Sequence, residues 1–564
     1  MSGGWKVGQV QVKVGGLAMP RVAPSMAEAE RERADLAAIQ QALQGRDLDR
    51  AAELAQAAHS RGMEHPLVLN LTALKLEKEE RFGEALKVLQ RAVEIAPADF
   101  AARNALGLCL HRLERPAEAL EQFDKVLEDQ PDFGGAHASR GAALESLGRL
   151  IEAEAAYRRA LELQPDNLGA VAGLANLASR RGAHAEARPL AERVLAAVPD
   201  YPDAVMALAA ADLAEGAHAR AAARLETLAA DPRATAVQRA LAKGLLGDVR
   251  DAQGLVADAF AAYQACNSDL ARAYAPRFAG ADALTFARAM LQTLETAGPE
   301  TWPAPAPTAS AARRHVFLLG FPRSGTTLLE QVLASHPDVE ALEERETLAD
   351  ASRAFLAEPT GVARLASASD GELDDLRAAY WSRVAAEGAQ PAGKVFVDKH
   401  PLNTFRLPLI ARLFPDAVIL LARRDPRDVV LAAWRRRFVM SGSAYQLLTL
   451  PGTAGYYDAA MRIAERFAPS LGERLHVVRH ESLVEDFDSV VPQVCAAIGL
   501  TFTPAMRAFS DRTRDRGIAT PTGAQLAGGL SAEGLGAWRR YAEPLGSVLP
   551  VLAPWVERFG YAPE

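Results

Sequence analysis

The residues most able to carry chemistry lie between Gly320 and Thr327, in the segment Gly-Phe-Pro-Arg-Ser-Gly-Thr-Thr. The segment follows a predicted strand and opens a helical pattern, so its backbone N–H groups and the helix N-terminus form a cradle for an anion. Its glycine spacing is that of a nucleotide-binding P-loop, but Thr326 stands where such a loop has lysine. An NTPase needs that lysine on its phosphates. Because the positive charge here is Arg323 instead, the loop predicts an anion site of another kind.

Two further clusters of charged residues follow predicted strands. Lys399 and His400 lie at the end of one apolar run, and Arg424 is the second residue after the buried run 417–422. Ligands of doubly wound sheets bind at the carboxyl ends of the strands, so we expect both clusters to lie beside the loop. A guanidinium such as that of Arg424 is the natural bidentate ligand of a phosphate.

The loop sequence Phe-Pro-Arg-Ser-Gly-Thr-Thr-Leu closely resembles the 5′-phosphosulfate loop of sulfotransferases that use 3′-phosphoadenylyl sulfate. The segment 335–338 (Ser-His-Pro-Asp) and the Glu343–Glu344 pair resemble the protein-tyrosine and heparan-type branches of that superfamily. The resemblance implies that the 5′-phosphate and sulfate are held by the side chain of Arg323 and by the backbone of Ser324, Gly325, Thr326, Thr327 and Leu328.

The same resemblance assigns catalytic roles. Glu344 falls where the tyrosine-sulfating branch has its general base, and a carboxylate suits the removal of a proton from an acceptor hydroxyl. Lys399 matches the lysine beside the bridging oxygen of the leaving group, where a cation offsets developing negative charge together with Arg323. His400 is the alternative base, because small-molecule sulfotransferases use a nearby histidine.

Arg424 begins a segment, Arg-Asp-Pro-Arg-Asp, that resembles the 3′-phosphate motif of the family. The family's serine eight residues later is Ala432 here, so one hydroxyl contact is lost. Arg436 matches a further donor-contacting arginine of the tyrosine-sulfating branch, whereas Arg435 and Arg437 are expected to be surface charges. His480 replaces a tyrosine near the adenine, and a loop that closes over the donor is expected to include Thr522 and Gln525.

The elements that must position these residues are short apolar runs alternating with helical patterns from residue 314 onward. This alternation predicts a parallel sheet flanked by helices, with the enzymatic domain at 314–564. A connecting helix followed by a Pro/Ala-rich linker is expected at 271–313. The composition of the linker prevents it from forming a regular element.

A repeat precedes the linker. A proline closes a helical run at intervals of 34 residues, at Pro97, Pro131, Pro165 and Pro199, and alanine recurs at Ala85, Ala119, Ala153 and Ala187. These positions resemble the tetratricopeptide repeat, which implies an array of helix pairs over 28–270 after a flexible tail at 1–27. Such arrays present a groove that holds peptides or protein segments.

Composition limits the partners. The net charge of −8 argues against nucleic acid, and no apolar run is long enough to span a membrane. Three widely separated cysteines have no metal-ligand spacing, which predicts no metal and a cytoplasmic location.

The predicted fold class is multi-domain, an all-α tetratricopeptide superhelix followed by an α/β, P-loop-like sulfotransferase domain with a parallel sheet. The predicted reaction moves a sulfuryl group from 3′-phosphoadenylyl sulfate to an acceptor hydroxyl and releases adenosine 3′,5′-bisphosphate. The acceptor is expected to be a tyrosine of a protein or peptide held by the repeats, with a glycan or small molecule left as alternatives, and homodimerisation or partner docking as other uses of the array. A P-loop kinase and a repeat scaffold with a degenerate nucleotide-binding domain are the competing interpretations.

Overall fold

The computed structural model describes residues 26–79, 81–280, 282–303, 308, 310–510, 529–532 and 534–563. The predicted lid residues Thr522 and Gln525, and most of the predicted tail, lie outside these ranges. The chain divides into two compact units, residues up to Ala143 and residues from Leu144 onward. No helix within the described ranges is long and apolar enough to cross a membrane.

The first unit consists of paired helices with a recurring small-against-aromatic contact. Gly107 is buried against Phe123, and a Cβ built at position 107 would lie 2.6 Å from that ring. Helix starts are capped locally, as where the Asp99 carboxylate accepts a hydrogen bond from the Ala101 N–H at 3.0 Å. Helices α1 to α7 are Met26–Gln44, Leu48–Ser60, Pro66–Lys78, Phe82–Ile95, Phe100–Arg112, Pro116–Asp129 and Gly134–Ser146.

The second unit opens with further helix pairs of the same kind. Gly173 and Gly247 each face a tyrosine ring, Tyr157 and Tyr263, at distances that leave no room for a Cβ. The small positions of the repeat therefore serve close helix packing. Helices α8 to α15 are Leu150–Leu163, Leu168–Arg180, His184–Ala197, Pro202–Ala214, His218–Ala230, Ala236–Ala252, Val256–Phe278 and Ala283–Thr296.

A five-stranded parallel sheet follows, in the order β2-β3-β1-β4-β5. Its strands are β1 Arg314–Leu319, β2 Val339–Glu343, β3 Val395–Lys399, β4 Val418–Arg423 and β5 Leu475–Arg479. Helices α16 to α20 are Thr326–Ala334, Ala349–Phe355, Gly361–Ala366, Asp370–Ala386 and Leu407–Leu413. Helices α21 to α27 are Pro426–Trp434, Gly442–Gln446, Leu450–Leu471, His480–Glu485, Phe487–Ala497, Ala542–Leu545 and Leu549–Arg558. The predicted fold class, helical repeats followed by a parallel-sheet domain, is confirmed.

Alternate residues of the strands enter two separate apolar cores, one on each face of the sheet. Along β3, Val395 and Val397 join the core that includes α16, whereas Phe396 joins the opposite one. Lys399 continues the first series, so its side chain is directed toward α16. The sheet thereby places a lysine at the carboxyl edge of its strands, beside the loop that follows β1.

The last helix pair, α13 and α14, packs against the sheet domain. The ring of Phe260 lies 4.8 Å from that of Trp434, and the Asn267 amide donates a hydrogen bond to the Trp434 carbonyl at 2.8 Å. These contacts attach the last pair of the predicted repeat array to the sheet domain.

Candidate functional site

The conformation of the loop between β1 and α16 depends on particular residues of the loop. A Cβ at Gly320 would lie 2.4 Å from the Ser324 hydroxyl, so only glycine fits there. Arg323 and Gly325 both have positive φ, at 74° and 100°. The Thr404 hydroxyl donates to the Gly320 carbonyl at 2.6 Å and braces the loop. Backbone turned in this way forms a concave nest of N–H groups suited to an anion.

Thr326, at the position of the P-loop lysine, is buried. Its methyl group lies 3.1 Å from where a Cβ on Gly320 would stand, so the threonine packs inside the base of the loop. The predicted loop residues Ser324, Thr327 and Leu328 are buried beside it. The predicted 5′ segment thus forms the end of the loop and the first turn of α16.

Cationic side chains gather around this loop. Arg424 donates a hydrogen bond to the Arg323 carbonyl at 3.4 Å, which joins the ends of β1 and β4. The ring of His480 lies against Gly325, with Nδ1 2.5 Å from where a Cβ would stand. Arg436 follows the end of α21 and is close enough to Arg323 for their charges to interact.

The electrostatics of the cluster favour a bound anion. Burial, followed by the charge of Arg424, lowers the pKa of Arg323 to about 10. Burial and the charge of Arg323 likewise lower the pKa of Arg436. Burial, together with the charges of Arg424 and Arg323, lowers the pKa of His480 to about 3, so this imidazole is neutral at pH 7. Because the cations repel one another, an anion among them would relieve that repulsion.

Lys399 is the second centre of the site. Its side chain is fully buried, and its ammonium lies 2.8 Å from Glu344, 3.2 Å from Glu330 and 3.3 Å from Glu343. The parallel register pairs Glu343 with Lys399 and so accounts for one of these contacts. Burial alone lowers the pKa of the lysine, but the three carboxylates outweigh it and raise the pKa.

Glu330 was missed by sequence reasoning. It lies on α16, is only 3% exposed, and has a pKa that burial raises against the opposing charge of Lys399. The available signal was a lone carboxylate inside the apolar run Leu-Leu-Glu-Gln-Val-Leu, 328–333. A charged residue is almost never fully buried unless it has a partner, and that partner is Lys399.

The two predicted bases, Glu344 and His400, differ in their contacts. Glu344 has a φ of 48°, and its N–H donates to the Lys399 carbonyl at 2.7 Å. Its side chain is 38% exposed; burial raises its pKa, but Lys399 and His400 together lower it below the usual value. His400 lies 3.6 Å from Glu346, which also pairs with Arg406 at 2.5 Å. Glu344 is therefore ionised and directly joined to the lysine, whereas the imidazole lies beside a different carboxylate.

The predicted 3′-phosphate segment begins α21. Arg424 also donates to the Gly534 carbonyl, and the Asp428 carboxylate accepts from the N–H groups of Gly536 and Trp538 at 2.7 and 2.9 Å. Residues 534–538 are thereby attached to this helix. Ala432 is buried on the same helix and offers no hydroxyl.

The expectation that Arg435 and Arg437 are surface charges is wrong. Arg437 pairs with Asp248 at 2.5 Å, and Arg435 pairs with Asp251 at 3.2 Å. Both partners lie on α13, far away in sequence, so no local pattern could indicate the pairing. Within the described ranges, no group of His, Cys, Asp and Glu side chains is arranged to hold a metal ion.

Comparisons with known proteins agree with both parts of the chain. The model of the "Sulfotransferase family" matches residues 315–504, and a "Tetratricopeptide repeat" model matches 70–132 and 112–168. The resemblance to both families is thereby confirmed, and it supports transferase activity for the sheet domain.

Individual relatives are distant. "Nodulation protein NoeE" of Sinorhizobium fredii is 31% identical over 34% of this chain and 51% of its own length. "Protein-tyrosine sulfotransferase 1" of Mus musculus is 32% identical over 22% of this chain and 35% of its own. A solved tetratricopeptide repeat protein from Parabacteroides merdae is 19% identical, with a TM-score of 0.32, over 44% of this chain and 94% of its own. The chain therefore spans about half of the length of the first of these curated relatives and about a third of the second.

Proposed function

We propose that the protein transfers a sulfuryl group from 3′-phosphoadenylyl sulfate to an acceptor hydroxyl. The observation that carries the proposal is the convergence of Arg323, Arg424, Arg436 and Lys399 on a phosphate loop whose lysine is replaced by Thr326. Four cations in two groups suit a donor with anionic groups at both its 5′ and 3′ positions. An ATP-dependent kinase would instead need a lysine at the position of Thr326.

The residues present fit this donor. Arg424 Nε and His480 Nδ1 are buried and have no hydrogen-bond partner among the described residues. Buried polar atoms without partners are uncommon in native proteins, and a ligand that supplies the partner explains them. Arg424 can donate from this nitrogen to a phosphate oxygen, and the ring of His480 lies against Gly325 of the loop.

Two side chains divide the chemistry. As the acceptor oxygen forms its bond to sulfur, the bond between sulfur and the phosphate oxygen breaks. Glu344, ionised and partly exposed, takes the proton from the acceptor hydroxyl. Lys399 offsets the negative charge that remains on the departing phosphate, in a buried position where electrostatic stabilisation is strong.

Donor binding tests the proposal directly. Titration calorimetry with adenosine 3′,5′-bisphosphate should show submillimolar binding. The R323A and R424A variants should each weaken it by about 10- to 100-fold, the effect of one charge-assisted contact. R462A is the control, because Arg462 is exposed on α23 and, within the described part of the chain, pairs with the neighbouring Asp458 alone. Stronger binding of ADP or ATP would favour a kinase, and no binding of any nucleotide would leave the scaffold interpretation.

We further propose that the acceptor is a tyrosine in a peptide or protein segment bound by the repeats. The similarity to a mouse protein named as a protein-tyrosine sulfotransferase and the tendency of helical repeat arrays to bind peptides support this choice. With donor supplied, kcat/KM should be at least about 10-fold higher for tyrosine-containing peptides than for small phenols, since remote binding energy assists the reaction. Mass spectrometry of the products provides the measurement. Equal rates on free phenols or on glycans would refute the peptide acceptor.

A further inference from the structure

We infer that helices α13 and α14, the last pair of the predicted repeat array, belong to the donor site and position Arg436 on the donor's 3′-phosphate. Asp248 and Asp251 are the positioning residues, because they hold the arginines on either side of Arg436. The inference rests on the proposed function, and it adds a role for the helical region other than acceptor binding.

The first contact is between Asp248 and Arg437. The two side chains pair at 2.5 Å, and the second oxygen of Asp248 accepts a hydrogen bond from Tyr263 of α14 at 2.9 Å. Gly244, one turn earlier on α13, leaves room for the arginine, since a Cβ there would lie 2.6 Å from Arg437 Cδ. The residue after Arg436 is therefore held by both helices of the pair.

The second contact is made by Asp251. One of its oxygens lies 3.2 Å from Arg435, and the other accepts from Tyr541 at 2.8 Å and lies 2.9 Å from Arg540. Residues 540 and 541 follow the segment 534–538, which is attached to α21 through Asp428. A single carboxylate thus connects the segment that carries Arg436 with residues 540 and 541.

The C-terminal end of α21 is also held in place by α14. The Trp434 carbonyl, at the last position of α21, accepts the hydrogen bond from Asn267, and the Trp434 ring packs on Phe260 and Tyr263. Residues 434, 435 and 437 are thus all anchored to α13 and α14. Arg436 lies among them, and a long side chain on a fixed backbone loses less conformational freedom when it binds a phosphate.

The test compares two nucleotides that differ only in the 3′-phosphate. In D248N and D251N, the dissociation constant for adenosine 3′,5′-bisphosphate should rise about 10-fold, while that for adenosine 5′-monophosphate changes less than about 2-fold. D258N is the matched control, because Asp258 is an exposed carboxylate on α14. In an R436A background, D248N should weaken bisphosphate binding no further, since its effect acts through Arg436.

Three other results are possible, and each would contradict the inference for a different reason. Equal weakening of both nucleotides in D248N would mean that Asp248 supports the fold as a whole, and that the inference is wrong. Unchanged binding of both would show that the contacts do not position Arg436. Failure of the unmodified protein to bind either nucleotide would overturn the proposed function itself, and the inference with it.

Discussion

Substitution of Lys399 by methionine is expected to lower kcat for sulfuryl transfer by about 10²- to 10³-fold, the usual effect of removing one electrostatic contact to developing charge. The lysine is fully buried at the strand edge, so no water replaces its charge. Methionine keeps the length and apolar volume of the side chain. Single-turnover measurements with labelled donor would separate this loss from any change in product release.

The same substitution should destabilise the protein. Glu330 would stay buried without its counter-charge, and removing one partner of a buried ion pair costs about 3–5 kcal/mol. Adding Glu330→Gln to K399M should restore part of the melting temperature without restoring kcat. This pair of results separates the catalytic role of the ammonium from its structural one.

Lys394, which directly precedes the strand that ends at Lys399, provides the control. It pairs with Glu340 at 3.0 Å and is 39% exposed, so K394M should change stability by less than about 1 kcal/mol and leave kcat unchanged. If K399M retained full kcat at saturating donor and acceptor, Lys399 would have no part in the reaction, and the carboxylates around it would be merely structural partners.

Replacement of Glu344 by glutamine should reduce kcat by about 10²- to 10⁴-fold, because it removes the general base while conserving shape. The reduction should appear without a comparable change in donor affinity, since Glu344 contacts Lys399 and not the arginine cluster. Glu343→Gln removes a charge from the same lysine and should have an effect of less than about 10-fold.

The pH dependence distinguishes Glu344 from His400. A base must be deprotonated to act, and the pKa of Glu344 lies below the usual value because Lys399 and His400 outweigh the effect of burial. The unmodified enzyme should therefore keep its rate as the pH falls to about 5, whereas an imidazole base would lose it at about pH 6 to 7. A larger loss in H400Q than in E344Q, with an acid limb in that imidazole range, would identify His400 as the base.

The sequence was most informative where chemistry and local geometry coincide. Gly320 and Arg323 belong to a loop whose shape depends on residues adjacent in sequence, and Lys399 ends a strand. A short stretch of sequence was therefore enough to predict all three as site residues. Glu330 and Asp248 could not be predicted as site residues, because the role of each depends on a partner that is distant in the chain. No spacing shows that a carboxylate of α16 meets a lysine of β3, or that α13 meets the end of α21.

The burial of Thr326 also bears on how this loop could change its specificity. Its methyl group occupies the base of the loop, close to Gly320, so a lysine introduced there would first have to displace packed atoms. Conversion to ATP chemistry therefore requires repacking of the atoms around Gly320 as well as a lysine at position 326. Laboratory evolution that starts from Thr326→Lys alone should yield misfolded loops before it yields a new catalyst.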